Sequence, residues 1–415
     1  MKHINQFITE YIIKKKLNKF IDSEDHYEYF PKTKYELIEI LNKLVKNNIC
    51  DFNCIDTSNI TDMANLFYNE KFEYINIDVS NWNVSNVTNM NYMFCNCKNF
   101  NCDLSNWNVS KVTNMGSIFD RCKNFKGKGL ENWDVHNVTN MRSMFYTCEK
   151  FDCDLSNWDV SNVKNMERTF CGCENFKGKG LENWNIHNVT NMPNMFQYCK
   201  KFTGKSIENW NISNVKNMTR MFYGCENFKG NELKNWNVHN VENMSYIFAN
   251  CKNFTGEGIE NWNVSNVENM TNMFFECINF NCDLSKWNVI NVKDMSYMFH
   301  GCILFESDLS HWNVSNVENI ESMFKQCYVF TGKYIENWDI RNVENMSNMF
   351  NGCIKLDCDL SNWDTSNVKY MICAFDGCKN FKGKGLENWD VSNVTHMNDI
   401  FGKCTLLKNK PSWYY

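Results

Sequence analysis

The chain has 415 residues, 43% of them hydrophobic and 15% aromatic, with a formal net charge of -5. This supplies ample material for a packed interior, while the mixed charge offers no basic field for neutralising phosphates, so nucleic acid is not an expected partner. No apolar run approaches the length needed to span a bilayer.

The first twenty residues, MKHINQFITEYIIKKKLNKF, contain no sustained apolar stretch and no small-residue cleavage site, so no secretory signal is expected. Ile4, Phe7, Ile8, Tyr11, Ile12, Leu17 and Phe20 fall roughly at helical spacing, which predicts an amphipathic helix with a lysine-rich outer face. It reads as a cap packed on the first coil of the repeat region, the alternative being a membrane-surface or partner-binding helix. A second helix is predicted over Lys34–Lys46. Thr33 and Glu36 form a capping box behind Pro31, and Tyr35, Leu37, Ile38, Leu41 and Leu44 supply an apolar face. Residues 1–54 are thus expected to form a helical N-terminal cap.

From residue 55 to residue 407 the sequence repeats itself. Trp recurs at 82, 107, 133, 158, 184, 210, 236, 262, 287, 312, 338, 363 and 389, always 25 or 26 residues apart. Such a period marks a stacked-repeat solenoid of about fourteen coils rather than several globular domains. The first coil is degenerate, with Ile55 in the Trp slot, as expected of a terminal repeat. Residues 408–415 read as a C-terminal tail, with Trp413 outside the period.

Within one coil, Leu104, Trp107 and Val109 predict a short parallel strand with those side chains inward. Proline at Met192-Pro193 then places a helix start at Asn191, because Pro is tolerated in a helix's first turn. Asn89, Asn114, Asn140 and Asp294 fill the same slot. Gly172, Gly224, Gly301, Gly352 and Gly377, with Asn96 and Asn250, suit the left-handed residue that ends a helix. Each coil is therefore expected to hold a short strand and a two-turn helix. Met90, Met93, Phe94, Cys97 and Phe100 should face the interior, and the Phe of this pattern recurs in every coil from Phe94 to Phe401. Coils written F-x-C-D-L are one residue shorter than those written F-K-G-K-G-L, and the insertion lies in a turn.

Thirteen of the 22 cysteines, from Cys97 to Cys404, occupy one slot per coil, the pattern of a small buried residue and not of a disulfide framework. Cys102, Cys153, Cys282 and Cys358 sit in turns and are expected to react first. Cys95-x-Cys97 and Cys171-x-Cys173 lack a second paired motif, so no metal site is expected, and no cofactor motif is present. Phosphate-binding, H-E-x-x-H and G-x-S-x-G motifs are missing, and His136, His187 and His239 are variants of a repeat serine, so no enzyme is expected.

The run W-[DN]-V-S-N-V-T-N-M-x-x-M-F-x-x-C-x-x-F, closed by L-S-N-W, resembles the repeat of BspA-like leucine-rich-repeat proteins, especially the branch noted as a mycoplasma domain of unknown function. The resemblance implies a right-handed α/β solenoid of short parallel strands and short helices. It also implies a surface protein used in adhesion or host interaction. With no signal, lipoprotein cysteine motif or wall anchor read in this sequence, the chain is expected to depart from the surface members. Reduced cysteines point to a cytoplasmic location, and the resemblance points to a cell surface or a virion.

The expected function is a monomeric, non-enzymatic scaffold for a protein or a repetitive glycan, with a spacer as the alternative. The nearly uniform Asn and Asp beside each Trp are the candidate ligand-facing positions: Asn81, Asn83, Asn106, Asn108, Asn132, Asp134, Asn157 and Asp159. Asn91-Tyr92, Glu167-Arg168 and Thr219-Arg220 lie instead at positions that vary from coil to coil, the side expected to suit an irregular protein partner.

Overall fold

The computed structural model describes residues 27–414. The amphipathic helix expected over residues 4–20 lies outside the described residues. The second helix is present as α1 (Lys34–Lys46), with the Thr33 hydroxyl accepting from the Glu36 N–H at 3.2 Å. The Glu36 carboxylate reaches back to the Lys32 N–H at 2.7 Å, one residue beyond the expected box. Leu37, Leu41 and Leu44 bury against the first coil, whereas Tyr35 turns to solvent and does not join the apolar face.

Beyond α1 the chain is a repeat solenoid. A single parallel bridge per coil runs from Asp62 through Asn89, Asn114, Asn140 and onward to Tyr370 and His396. These bridges stay in register through both 25- and 26-residue steps. The extra residue of the long form is absorbed where Gly127 and Gly129 adopt positive φ.

The strand and the two-turn helix expected in each coil are both corrected. The N–H of Trp107 donates to the Leu104 carbonyl at 3.1 Å and that of Val112 to Val109 at 2.9 Å, so the supposed strand is two chained turns. In the long form it tightens into single 3-10 turns such as Leu130–Asn132. The supposed helix is again a run of turns. Met93 N–H closes onto Met90 (3.1 Å) and Cys97 N–H onto Phe94 (3.0 Å), while the third residue of each turn, Tyr92 and Asn96, is left-handed at φ 57° and 65°. Positive φ at that position is what a type II turn requires.

The helix loses because its donors have better partners next door. The N–H groups of Met90, Tyr92, Phe94 and Asn96 donate to Asn114, Gly116, Ile118 and Asp120 of the following coil at 2.7–3.0 Å. Those of Met93, Cys95 and Cys97 close turns, and that of Asn91 goes to the Asn89 side chain at 3.2 Å. Every donor from residue 90 to residue 97 is thereby satisfied, half of them between coils. Asn at the bridge slot does act like a helix cap, accepting from the N–H two residues on, but it caps a turn. Pro193 replaces the N–H that Asn191 would otherwise accept, and Pro193-Asn194 is the ordinary second and third pair of a type II turn, with Asn194 at φ 58°.

Inside, the expected ladders are present. Trp107 lies 6.2 Å from Trp133 with rings 3° from parallel, and each indole N–H donates to a carbonyl of the preceding coil, as Trp107 does to Val79 at 3.0 Å. The Phe94 row stacks at 5.7 Å on Phe119, and Phe100 packs against Phe94 within the coil at 4.0 Å. The ladder thiols are also hydrogen-bonded: Cys122 Sγ donates to the Phe94 carbonyl at 3.1 Å, and Cys148 to Phe119 at 3.0 Å. Trp413 is corrected. It stacks on Trp389 at 6.3 Å, donates to the Leu386 carbonyl at 2.7 Å, and extends the Trp row beyond the last full period.

Candidate functional site

Every coil leaves outward the same few side chains, and these fall into two surfaces of different character. The first carries the Asn and Asp beside Trp. Asn81, Asn83, Asn106, Asn108, Asn132, Asp134, Asn157 and Asp159 are all exposed. Many are occupied: Asn83, Asn108, Asp134 and Asp159 accept the N–H two residues on at 3.0–3.3 Å, closing a local turn. Asn106 and Asn157 reach instead to the preceding coil, Asn157 donating to the Glu131 carbonyl at 3.1 Å. A third Asn, in the V-S-N-V run, does the same in every coil but the one with Lys111 there; Asn137 donates to Ser110 and Asn162 to His136, each at 2.8 Å. Much of the uniformity of these rows is explained by turns and coil-to-coil bonds that each repeat must remake.

The second surface is the outer side of the stacked turns, where the variable residues lie. Here the structure forms an elongated groove of about 460 Å³. Its floor is the left-handed row Ser117, Ser143, Arg168 and Asn194, of which the serines and Asn194 are at most 8% exposed. Tyr92 stands at one end and Arg220 at the other, so the groove spans six coils, or roughly 24 Å at the spacing of parallel chains. Arg121, Arg142 and Tyr146 form the walls. Of the positions read as variable, Tyr92, Arg168 and Arg220 line this groove together.

Reading the sequence coil by coil misses what the groove concentrates. Among 43 basic residues only five are arginine, and four of them, Arg121, Arg142, Arg168 and Arg220, meet here. The signal was available as their confinement to a hundred residues at outward repeat positions. Guanidinium forks suit carboxylates and phosphates better than lysine does. They are also held in place. Glu167 accepts from Arg142 at 3.3 Å and from Arg168 at 2.9 Å, Arg121 lies 5.9 Å from the Tyr146 ring, and Arg220 covers the Tyr246 ring at 4.3 Å. Asp120 lines the same groove with one buried oxygen that lacks a hydrogen-bond partner. Burial pushes its carboxyl up to about 6, against the opposing pull of Arg121. Four guanidiniums thus face two carboxylates, one of them reluctant to ionise.

Charge elsewhere serves the stacking. Where a long coil follows a short one, Lys128 pairs with Asp103 at 2.6 Å, Lys179 with Asp154 and Lys384 with Asp359 at 2.7 Å. Hydrogen bonding by these lysines and by the neighbouring serines brings all three carboxyls down to about 2. The turn cysteines expected to be reactive are corrected: Cys102, Cys153, Cys282 and Cys358 are buried, the last three beneath Gly127, Gly256 and Gly332 of the preceding coil, and burial pushes Cys102 and Cys153 up to about 12. All cysteines of the described residues are free. Among those residues no group of three His, Cys, Asp or Glu could hold a metal, and no helix is long and apolar enough to cross a membrane.

Four overlapping stretches, residues 36–129, 117–235, 217–334 and 325–414, match the family described as Mycoplasma protein of unknown function, DUF285. The chain belongs to that family. The match begins within α1 and runs through Trp413, covering the whole ladder. No curated protein matches the chain. Among solved structures, the chain is 9% identical to one from the Toll–Spatzle complex of Drosophila, with 79% of this chain and 41% of that chain covered and a TM-score of 0.21. A chain of the TLR13–ssRNA13 complex is 9% identical over 84% of this chain and 74% of its own, with a TM-score of 0.13. At TM-scores this low the likeness bears on neither fold nor partner, and the solenoid stands on its own bridges and ladders.

Proposed function

We propose that this DUF285 repeat protein is a non-enzymatic binding scaffold whose ligand lies along the outer side of its stacked turns. The observation that carries this reading is the contrast between surfaces: the Asn rows repeat because they join coils, while the turn face varies and gathers scarce arginines into one groove. Adhesion or host interaction, as the BspA-like resemblance implies, is one setting for such a scaffold. A second reading is kept for the Asn81 to Asp159 positions: exposed and repeated coil after coil, they suit a glycan with a matching repeat.

The test is binding of the full chain to a panel of purified matrix proteins and glycans, compared with R168Q/R220Q and with N106A/N157A. A ligand lost on the first substitution and retained on the second supports the groove. The opposite pattern supports the Asn row. Failure of every ligand favours a spacer.

A further inference from the structure

Resting on the scaffold reading, we infer that the groove from Tyr92 to Arg220 takes an extended, acidic protein segment, its carboxylates engaging Arg121, Arg142, Arg168 and Arg220. The groove spreads only about 460 Å³ along six coils and follows the solenoid axis, so an extended chain fits it better than a helix or a globular surface. At about 3.3 Å per residue, its roughly 24 Å accommodates about seven residues. Carboxylate recognition is already displayed beside it, since Glu167, next to the lining residues, is shared by Arg142 and Arg168 at 3.3 and 2.9 Å. The buried hydroxyls and amide of Ser117, Ser143 and Asn194 offer polar partners to a peptide backbone passing above them.

Two observations favour a peptide over a uniform polyanion. Asp120 and Glu167 stand among the arginines, and a nucleic acid or heavily sulfated glycan would place a negative charge against each. A peptide can pass a neutral residue over those places. The aromatic rings are also engaged on one side: Arg121 and Arg220 lie over Tyr146 and Tyr246, and Tyr92 packs on Tyr68 at 6.1 Å, which reduces the surface on which bases could stack. The net charge of -5 supplies no wider basic field to compensate.

The experiment uses a fluorescent eight-residue peptide of alternating glutamate and serine, titrated with the full chain by polarisation. Parallel titrations use its glutamine counterpart, a heparin hexasaccharide and an oligouridylate octamer. Binding of the glutamate peptide is expected, weakened about tenfold or more by R168Q/R220Q. It should be unchanged by R341Q, which alters the one arginine outside the groove, and should be lost with the glutamine peptide. Unchanged thermal melting of the variants excludes misfolding as the cause. Failure of the glutamate peptide to bind, or equal binding by R168Q/R220Q, overturns the inference. If the hexasaccharide or octamer then binds and is lost in R168Q/R220Q, the scaffold reading survives with a different ligand. If no probe binds and the matrix and glycan panel is also negative, both fall.

Discussion

At the scale of single residues, the interior positions follow from spacing because each must meet its own copy in the next coil. Central Trp210 stacks on Trp184 at 6.4 Å and is 4% exposed, so Trp210→Ala should cost about 3–5 kcal/mol in chemical denaturation. Trp413→Ala, at a half-buried end position with a single Trp neighbour, should cost clearly less than that but more than a surface change. Thiol chemistry follows burial. Cys50, Cys54, Cys373 and Cys404, the last at the open end of the ladder, are only partly buried and should label first in the native protein by mass spectrometry. Cys102 and Cys153 should wait for unfolding together with the other ladder thiols, since both protonation and coverage protect them. Asp120 provides a pH signature. Its folded pKa of about 6 lies above the unfolded value, so the folded state binds the extra proton between about pH 4 and 6 and loses stability as pH rises through that window. Asp120→Asn should therefore raise the melting temperature at pH 7 and have little effect at pH 4. It should also tighten anion binding in the groove by removing a competing carboxylate.

At the scale of the element, the inward pattern was legible and the backbone that produces it was not. Met90, Met93, Phe94 and Cys97 fit the i, i+3, i+4, i+7 positions of a helix, and they fit two chained four-residue turns equally well. The difference resides at the third turn residue, which must be left-handed. Gly172 or Asn96 at the second turn announces this, although the same residues also end helices. At the first turn the slot holds Asn194, Asn272 or Asn348 in some coils but Tyr92, Ser143, Arg168 and Tyr246 in others, and these last carry no such signal. Inter-coil hydrogen bonding overrides their preference, at about 1–2 kcal/mol per residue. Pro193-Asn194 was the clearest clue, and it fits either backbone until the neighbouring coil is in view. The glycine turn of the long form has no such tolerance. A Cβ on Gly129 would lie 2.2 Å from the Ser105 backbone nitrogen at φ 93°. Gly129→Ala should cost at least the roughly 1–3 kcal/mol of a strained backbone, read as a lower denaturation midpoint, whereas Gly352→Ala, with no atom nearer than 3.6 Å, should cost less.

At the scale of the molecule, the period alone implied a stack, and the bridge from Asp62 to His396 realises it with one rung per repeat. The groove was not legible at this scale, because its parts are outward residues about 25 residues apart whose alignment depends on the register of six coils. Stability is correspondingly local, each coil resting on its neighbours, with α1 and Trp413 covering the two ends. Small-angle scattering of the full chain in solution tests this arrangement most directly. Fourteen rungs at about 4.8 Å give an axis of roughly 60–65 Å, so a stacked solenoid predicts a skewed pair-distance distribution reaching about 70 Å or beyond. A symmetric distribution ending near about 55 Å, as for a compact sphere of this length with a radius of gyration of about 22 Å, would contradict it.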